Sequence, residues 1–158
     1  MIGIRSTADK PNEFDDKFYL YIGNGQMFEY TGTTNPGTSW LLKWMNSKGT
    51  AVLASDKQYT DTWKLGLHKG AEAMVQAKTV CVYRDTNKNL KSEEIGVPEW
   101  GWFAINIHHA NATAISTVIN LWSAGCQVFN NPVQHADLIN KFKLSGKKTL
   151  TYSLLREF

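Results

Sequence analysis

Residues 17–22 (KFYLYI) and 26–31 (QMFEYT) are two aromatic, β-prone runs separated by Gly23-Asn24-Gly25. Two such runs around a Gly/Asn turn predict a hairpin. The pattern recurs along the chain. Residues 49–54 (GTAVLA), 63–67, 73–76, 78–83 and 149–155 (TLTYSLL) each read as a strand, and His68-Lys69-Gly70 reads as the turn between two of them. Residues 2–4 predict a short first strand. Residues 137–142, with a start near Pro132, read as a helix; residues 39–46 read as a short helix or a bulged strand. Many short strands with turn punctuation predict a mostly β fold: an antiparallel β sandwich or barrel with one or two short helices. With no repeat, linker or low-complexity segment in 158 residues, the chain reads as one domain.

Composition narrows the function classes. Hydrophobic residues at 42% and charged residues at 20% are ordinary for a soluble globular domain. No apolar run approaches the ~20 residues of a membrane span. A net charge of +3 is too mild for a nucleic-acid protein and compatible with an anionic polymer. The N-terminal MIGIR turns polar at once, which predicts no signal peptide. Two cysteines make no disulfide framework. Cys81, within TVCVY, reads as a small buried hydrophobe; a bridge to Cys126 is the alternative.

Residues 103–129 (FAINIHHANATAISTVINLWSAGCQVF) carry the chemistry. Phe103, Ile105 and Ile107 alternate with Ala104, Asn106 and His108, a period of two that predicts a strand with His108 at its end. Ser123-Ala124-Gly125-Cys126 follows as a turn, then residues 127–129 as a second strand. A thiol in a glycine turn can lie beside backbone N–H donors, and a nearby imidazole can take its proton.

This stretch resembles the catalytic motif of the L,D-transpeptidases (YkuD-like domains), which remodel peptidoglycan: a histidine after an apolar strand, then Ser/Thr-His-Gly-Cys. Fourteen residues separate His108 from Ser123, at the short end of that family's window; from His109 there are thirteen, outside it. The resemblance implies Cys126 as nucleophile, His108 as base and the main chain of His109 as its orienter. Ser123 and Gly125 fill the turn positions, with the N–H groups of Gly125 and Cys126 as oxyanion donors. Ala136-Asp137-Leu138-Ile139 resembles the family's helix after the cysteine. Thr31-Gly32 and Asn35-Pro36-Gly37-Thr38 resemble its upstream segment. The motif's second histidine is Ala124 here, and the polar residue two after the cysteine is Val128. Those departures suggest a divergent branch, phage-encoded, with altered specificity.

On this resemblance the partner is the peptidoglycan stem peptide, with no cofactor and no nucleic acid. Without an export signal, the chain would reach the wall after lysis, virion packaging or injection, or would begin after its signal was removed. Trp63 and Trp122 are candidates to line the cleft, with a core position as the alternative for any tryptophan. His68 is a candidate substrate contact at the rim, with a half-exposed loop position as its alternative. His135 reads as a surface residue near the helix start. Zinc through His108, His109, Cys126 and Asp137 is disfavoured, because neighbours on a strand face opposite ways. A non-catalytic wall-binding or virion module with the same fold is the competing function.

Overall fold

In the computed structural model, which describes residues 1–158, Asn24 and Gly25 take φ of 50° and 73°. Positive φ at both central residues gives the tight turn whose twist matches a right-handed strand pair. It joins β2 (Asp16–Gly23) to β3 (Gln26–Thr33), with a bulge between Tyr21 and Gly23. A second such turn at Lys69 (φ 50°) and Gly70 (φ 85°) joins β5 (Lys57–His68) to β6 (Ala71–Gln76).

The remaining elements are β1 (Ile2–Arg5), α1 (Thr38–Leu42), β4 (Thr50–Leu53), β7 (Val80–Asp85), β8 (Glu99–Gly101), β9 (Ile107–His109), β10 (Gln127–Phe129), α2 (Pro132–Leu144) and β11 (Leu150–Arg156). Eight strands close a barrel in the order β1-β11-β5-β6-β9-β10-β3-β2, and β4-β7-β8 form a separate three-stranded sheet. The mostly β expectation holds. The antiparallel expectation needs correction, because β1 runs parallel to β11 and β9 runs parallel to β10. A parallel pair needs a long crossover, and residues 110–126 supply one between β9 and β10.

The barrel interior is aromatic. Phe18 stacks on Phe129 at 4.8 Å between centroids, and Trp63 meets Tyr152 edge-on at 5.5 Å. Trp63 is fully buried and donates its indole N–H to the Ile105 carbonyl at 2.7 Å. It is therefore a core residue rather than a cleft wall: an indole buried in a barrel needs a partner for its N–H, and Ile105 provides one.

α2 has Pro132 in its first turn and Asn131 as its cap, the Asn131 side chain accepting from the Val133 N–H. Both features start a helix without leaving orphan donors. Its inner face buries Leu138, Ile139 and Phe142, and His135 with them. The surface position expected for His135 is thus wrong. The helix rotates it inward, against the rings of His109 (5.2 Å) and Phe129 (5.5 Å). Residues 99–101 form β8 at the edge of the small sheet. No helix is long and apolar enough to cross a membrane.

Candidate active site

Residues 103–106 do not form the strand that their alternation predicts; only Ile107–His109 is strand. Ala104 has φ of 56°, a left-handed conformation that a ladder cannot carry. Side chains hold this segment instead. The buried Gln76 accepts through Oε1 from the N–H groups of Phe103 (3.2 Å) and Ile105 (3.0 Å), and donates through Nε2 to the Gly101 carbonyl (3.0 Å). Trp63 fixes the Ile105 carbonyl from the core side.

This irregular segment lies against the cysteine turn. The Asn106 N–H donates to the Cys126 sulfur at 3.4 Å, and the Ala104 carbonyl lies 3.5 Å from the sulfur as an acceptor for the thiol. One residue on, the Gln127 N–H donates to the Asn106 carbonyl and β9 and β10 enter parallel register, Val128 opposite His108. The turn locks itself. Ser123 Oγ donates to the Cys126 carbonyl (2.8 Å) and accepts from the Gly125 N–H (3.2 Å). Gly125 has φ of 121°, and a Cβ there would lie 2.4 Å from the Ala51 carbonyl oxygen. Only glycine tolerates that conformation and that approach.

Ser123 is fully buried and locks the turn position it fills, and one sequence expectation changes here. The Gly125 N–H is engaged by Ser123, which leaves the Cys126 N–H as the turn's free donor near the sulfur.

Cys126 and His108 line one cleft of about 500 Å³ between the barrel and the small sheet. His109 faces the opposite way, into a smaller depression with His135, as strand alternation requires. His108 Nδ1 donates to the His109 carbonyl at 2.7 Å, so the proton of the neutral ring sits on Nδ1. Its Nε2 is buried and has no hydrogen-bond partner. The residue is 6% exposed, and burial depresses its pKa to about 3. Burial also raises the Cys126 thiol, opposed by the Asn106 N–H and by the positive charge of Lys69. The resting pair is a neutral thiol and a neutral imidazole.

His68 reaches the cleft at the end of β5, its ring stacked on His108 at 4.3 Å with 24° between planes. Trp122, 40% exposed, forms another wall. Several lining residues escape sequence reasoning. Trp40 from α1, Lys69 and Arg84 all line the cleft, and no carboxylate does. Arg84 pairs with Glu99 at 2.6 Å, whereas Lys69 makes no ion pair. Lys69 was the most findable, since it follows His68 in the turn. Asn106 could have been found as the residue two before His108 in the same period-two alternation. The upstream segment is close as well: the Gly37 N–H donates to the Ser123 carbonyl at 2.9 Å.

No three His, Cys, Asp or Glu side chains converge in a metal-holding arrangement. Asp137 is engaged by Tyr30 (2.8 Å) and by Lys141. Cys81 and Cys126 are both free thiols, and Cys81 is buried within the core cluster. No protein-family model, curated protein or solved structure matches the chain.

Proposed function

We propose that the chain is a peptidoglycan-active cysteine enzyme that cleaves or transfers stem peptides through an acyl-enzyme on Cys126. One observation carries the reading. Cys126 shares a cleft with a histidine whose Nδ1–H is held by a main-chain carbonyl and whose Nε2 lone pair is unengaged. That is what a general base needs: a fixed tautomer and a free acceptor.

Because both partners rest neutral, proton transfer accompanies attack. Sγ bonds to the substrate carbonyl carbon as Nε2 of His108 takes the thiol proton. The carbonyl π electrons move to oxygen, and the Cys126 N–H supports the resulting oxyanion. Collapse restores the carbonyl, breaks the C–N bond and passes the proton from His108 to the departing amine. The thioester is then resolved by an amine, giving transpeptidation, or by water, giving carboxy- or endopeptidase activity. The open, partly aromatic walls, the free Lys69 and the absence of carboxylates suit a peptide that carries carboxylate groups.

Incubation with purified muropeptides, followed by mass spectrometry of the products, tests the reading. Loss or exchange of a terminal residue, or cleavage of a cross-link, is expected; unchanged muropeptides in wild-type digests would overturn it. A second reading, a non-catalytic wall-binding or virion module, draws on one observation, the upward push of burial on the Cys126 thiol. Rapid labelling of Cys126 by a thiol reagent at neutral pH favours the enzyme, and inertness favours the module.

A further inference from the structure

We propose that Asn106 and His68 are positioning residues that work through His108: Asn106 holds His68 as a neutral imidazole, and the face of that imidazole stabilises the positive charge His108 acquires with the thiol proton. The proposal rests on the cysteine-enzyme reading above.

The amide of Asn106 has only one workable orientation. Its Oδ1 accepts from the Gln76 N–H at 3.0 Å. Its Nδ2 is therefore the atom 3.0 Å from His68 Nδ1. An amide nitrogen only donates, so Nδ1 of His68 must accept and cannot carry a proton. His68 is thereby set in the Nε2–H tautomer. Protonating Nδ1 would place two N–H donors face to face and break the contact.

Stacking then makes the charge of His68 matter to its neighbour. A cation over a neutral aromatic face is stabilised, the more so when desolvated; two stacked cations repel. The ring of His108 lies over that of His68 at 4.3 Å. His108 is buried and gains no carboxylate partner when it is protonated, since its Nδ1–H already goes to the His109 carbonyl. The His68 face is the group positioned to receive the new charge.

The charged and titratable surroundings of His68 agree. Lys69 follows it in the turn, His108 and His109 come from β9, Cys126 from the turn before β10, and Arg84 from β7 across the cleft. No carboxylate lines the cleft. Glu72 of β6 lines the His109–His135 depression instead and pairs with Lys143 at 2.6 Å. Burial, Lys69 and His109 all hold His68 below the usual imidazole range. Asn106 also donates its N–H to the sulfur, so one residue sets the nucleophile and the neighbour of the base.

Long-range ¹⁵N–¹H correlation NMR on the full chain with labelled histidine reads the tautomer directly. The Nε2–H form is expected for His68, titrating below about 6.5. The Nδ1–H form, or a midpoint at or above that value, overturns the proposal. Asn106→Asp keeps an oxygen for the Gln76 N–H and offers a second one to an Nδ1–H. It should raise the His68 midpoint by a pH unit or more. It should also slow iodoacetamide alkylation of Cys126 at pH 7 by a few-fold, in proportion to the fraction of His68 that is protonated there. His68→Phe in the Asn106→Asp background supplies an uncharged face and should recover most of that rate. An unrecovered rate means that the carboxylate acts on the thiol directly, and overturns the coupling. A wrong tautomer beside a reactive Cys126 overturns this proposal alone. An inert wild-type Cys126 beside the expected tautomer overturns the enzyme reading and the charge-stabilising role with it.

Discussion

The Asn106 N–H donates to the sulfur of Cys126 at 3.4 Å, joining the irregular segment before β9 to the turn before β10. This contact depends on Gln76 and Trp63, neither of which touches the sulfur. The cysteine is thus held by a fixed scaffold from two sides, and removing the sulfur leaves that scaffold intact. Cys126→Ala should abolish activity on muropeptides while the thermal midpoint moves by only a few degrees, as calorimetry can show. Cys81→Ala should keep activity and lose about 1–2 kcal/mol of stability, because its thiol is packed in the core.

Gly125→Ala is expected to be more damaging than its size suggests. The new Cβ would meet the Ala51 carbonyl oxygen at 2.4 Å, at a φ of 121°. Backbone strain and overpacking together should destabilise the protein by about 2–5 kcal/mol. Denaturant unfolding measures this, and alkylation should show a slowed Cys126, since the turn cannot shift without moving the sulfur.

Two tryptophans named as cleft candidates should separate cleanly. Trp63→Ala should cost about 3–5 kcal/mol of stability, the range for deleting a buried aromatic. Trp122→Ala should leave the unfolding midpoint nearly unchanged and raise KM for muropeptides, because its side chain is part-exposed in the cleft.

That contrast marks how far the sequence could be read. The hairpins at Asn24-Gly25 and Lys69-Gly70 were legible because their turn chemistry is local. The separation of His108 from His109 was legible because alternation is local too. Trp63 was not, since an indole suits a core and a cleft equally until its N–H partner is known. The 103–106 segment misled because its alternation mimics a strand, whereas Gln76, 27 and 29 residues away, takes the N–H groups of Phe103 and Ile105. The second imidazole beside His108 comes from a different hairpin, and no spacing rule links the two.

Acid should weaken the fold in a defined window. Burial holds His108 at about 3 and His135 at about 4, against about 6.5 for an unperturbed imidazole. The unfolded chain therefore binds more protons than the folded one between these values, and stability rises with pH across them. The stabilisation is complete above about pH 6.5 and is lost as pH falls toward 4 and then 3, a loss on the order of a few kcal/mol. Thermal melts at pH 7, 5.5 and 4 should show the decline. His135→Gln should flatten it, since that site no longer titrates. An equal slope in the variant would mean that other groups drive the acid transition.

A carbapenem should acylate Cys126 and add its mass to the protein. Its ring carbonyl offers the acyl-donor geometry without requiring an acceptor; of the two departures from the resembled motif, Ala124 lines the cleft and Val128 is fully buried. Three features are needed: a base for the thiol, an oxyanion donor, and a cleft open to an anion. His108 Nε2, the Cys126 N–H and the carboxylate-free lining with Lys69 supply them. Sγ attacks the lactam carbonyl, the C–N bond of the ring opens, and the proton held by His108 passes to the ring nitrogen. Because the neutral thiol–imidazole pair that reacts is fully formed from pH 6 to pH 8, the rate should stay nearly level across that range. Lys69→Glu should slow acylation by about tenfold at low salt, and the difference should shrink at high salt as screening sets in. Intact-protein mass spectrometry reads the adduct, and Cys126→Ala should lack it. An adduct that persists in Cys126→Ala, or a Lys69→Glu rate equal to wild type at low salt, would show that the ligand enters elsewhere.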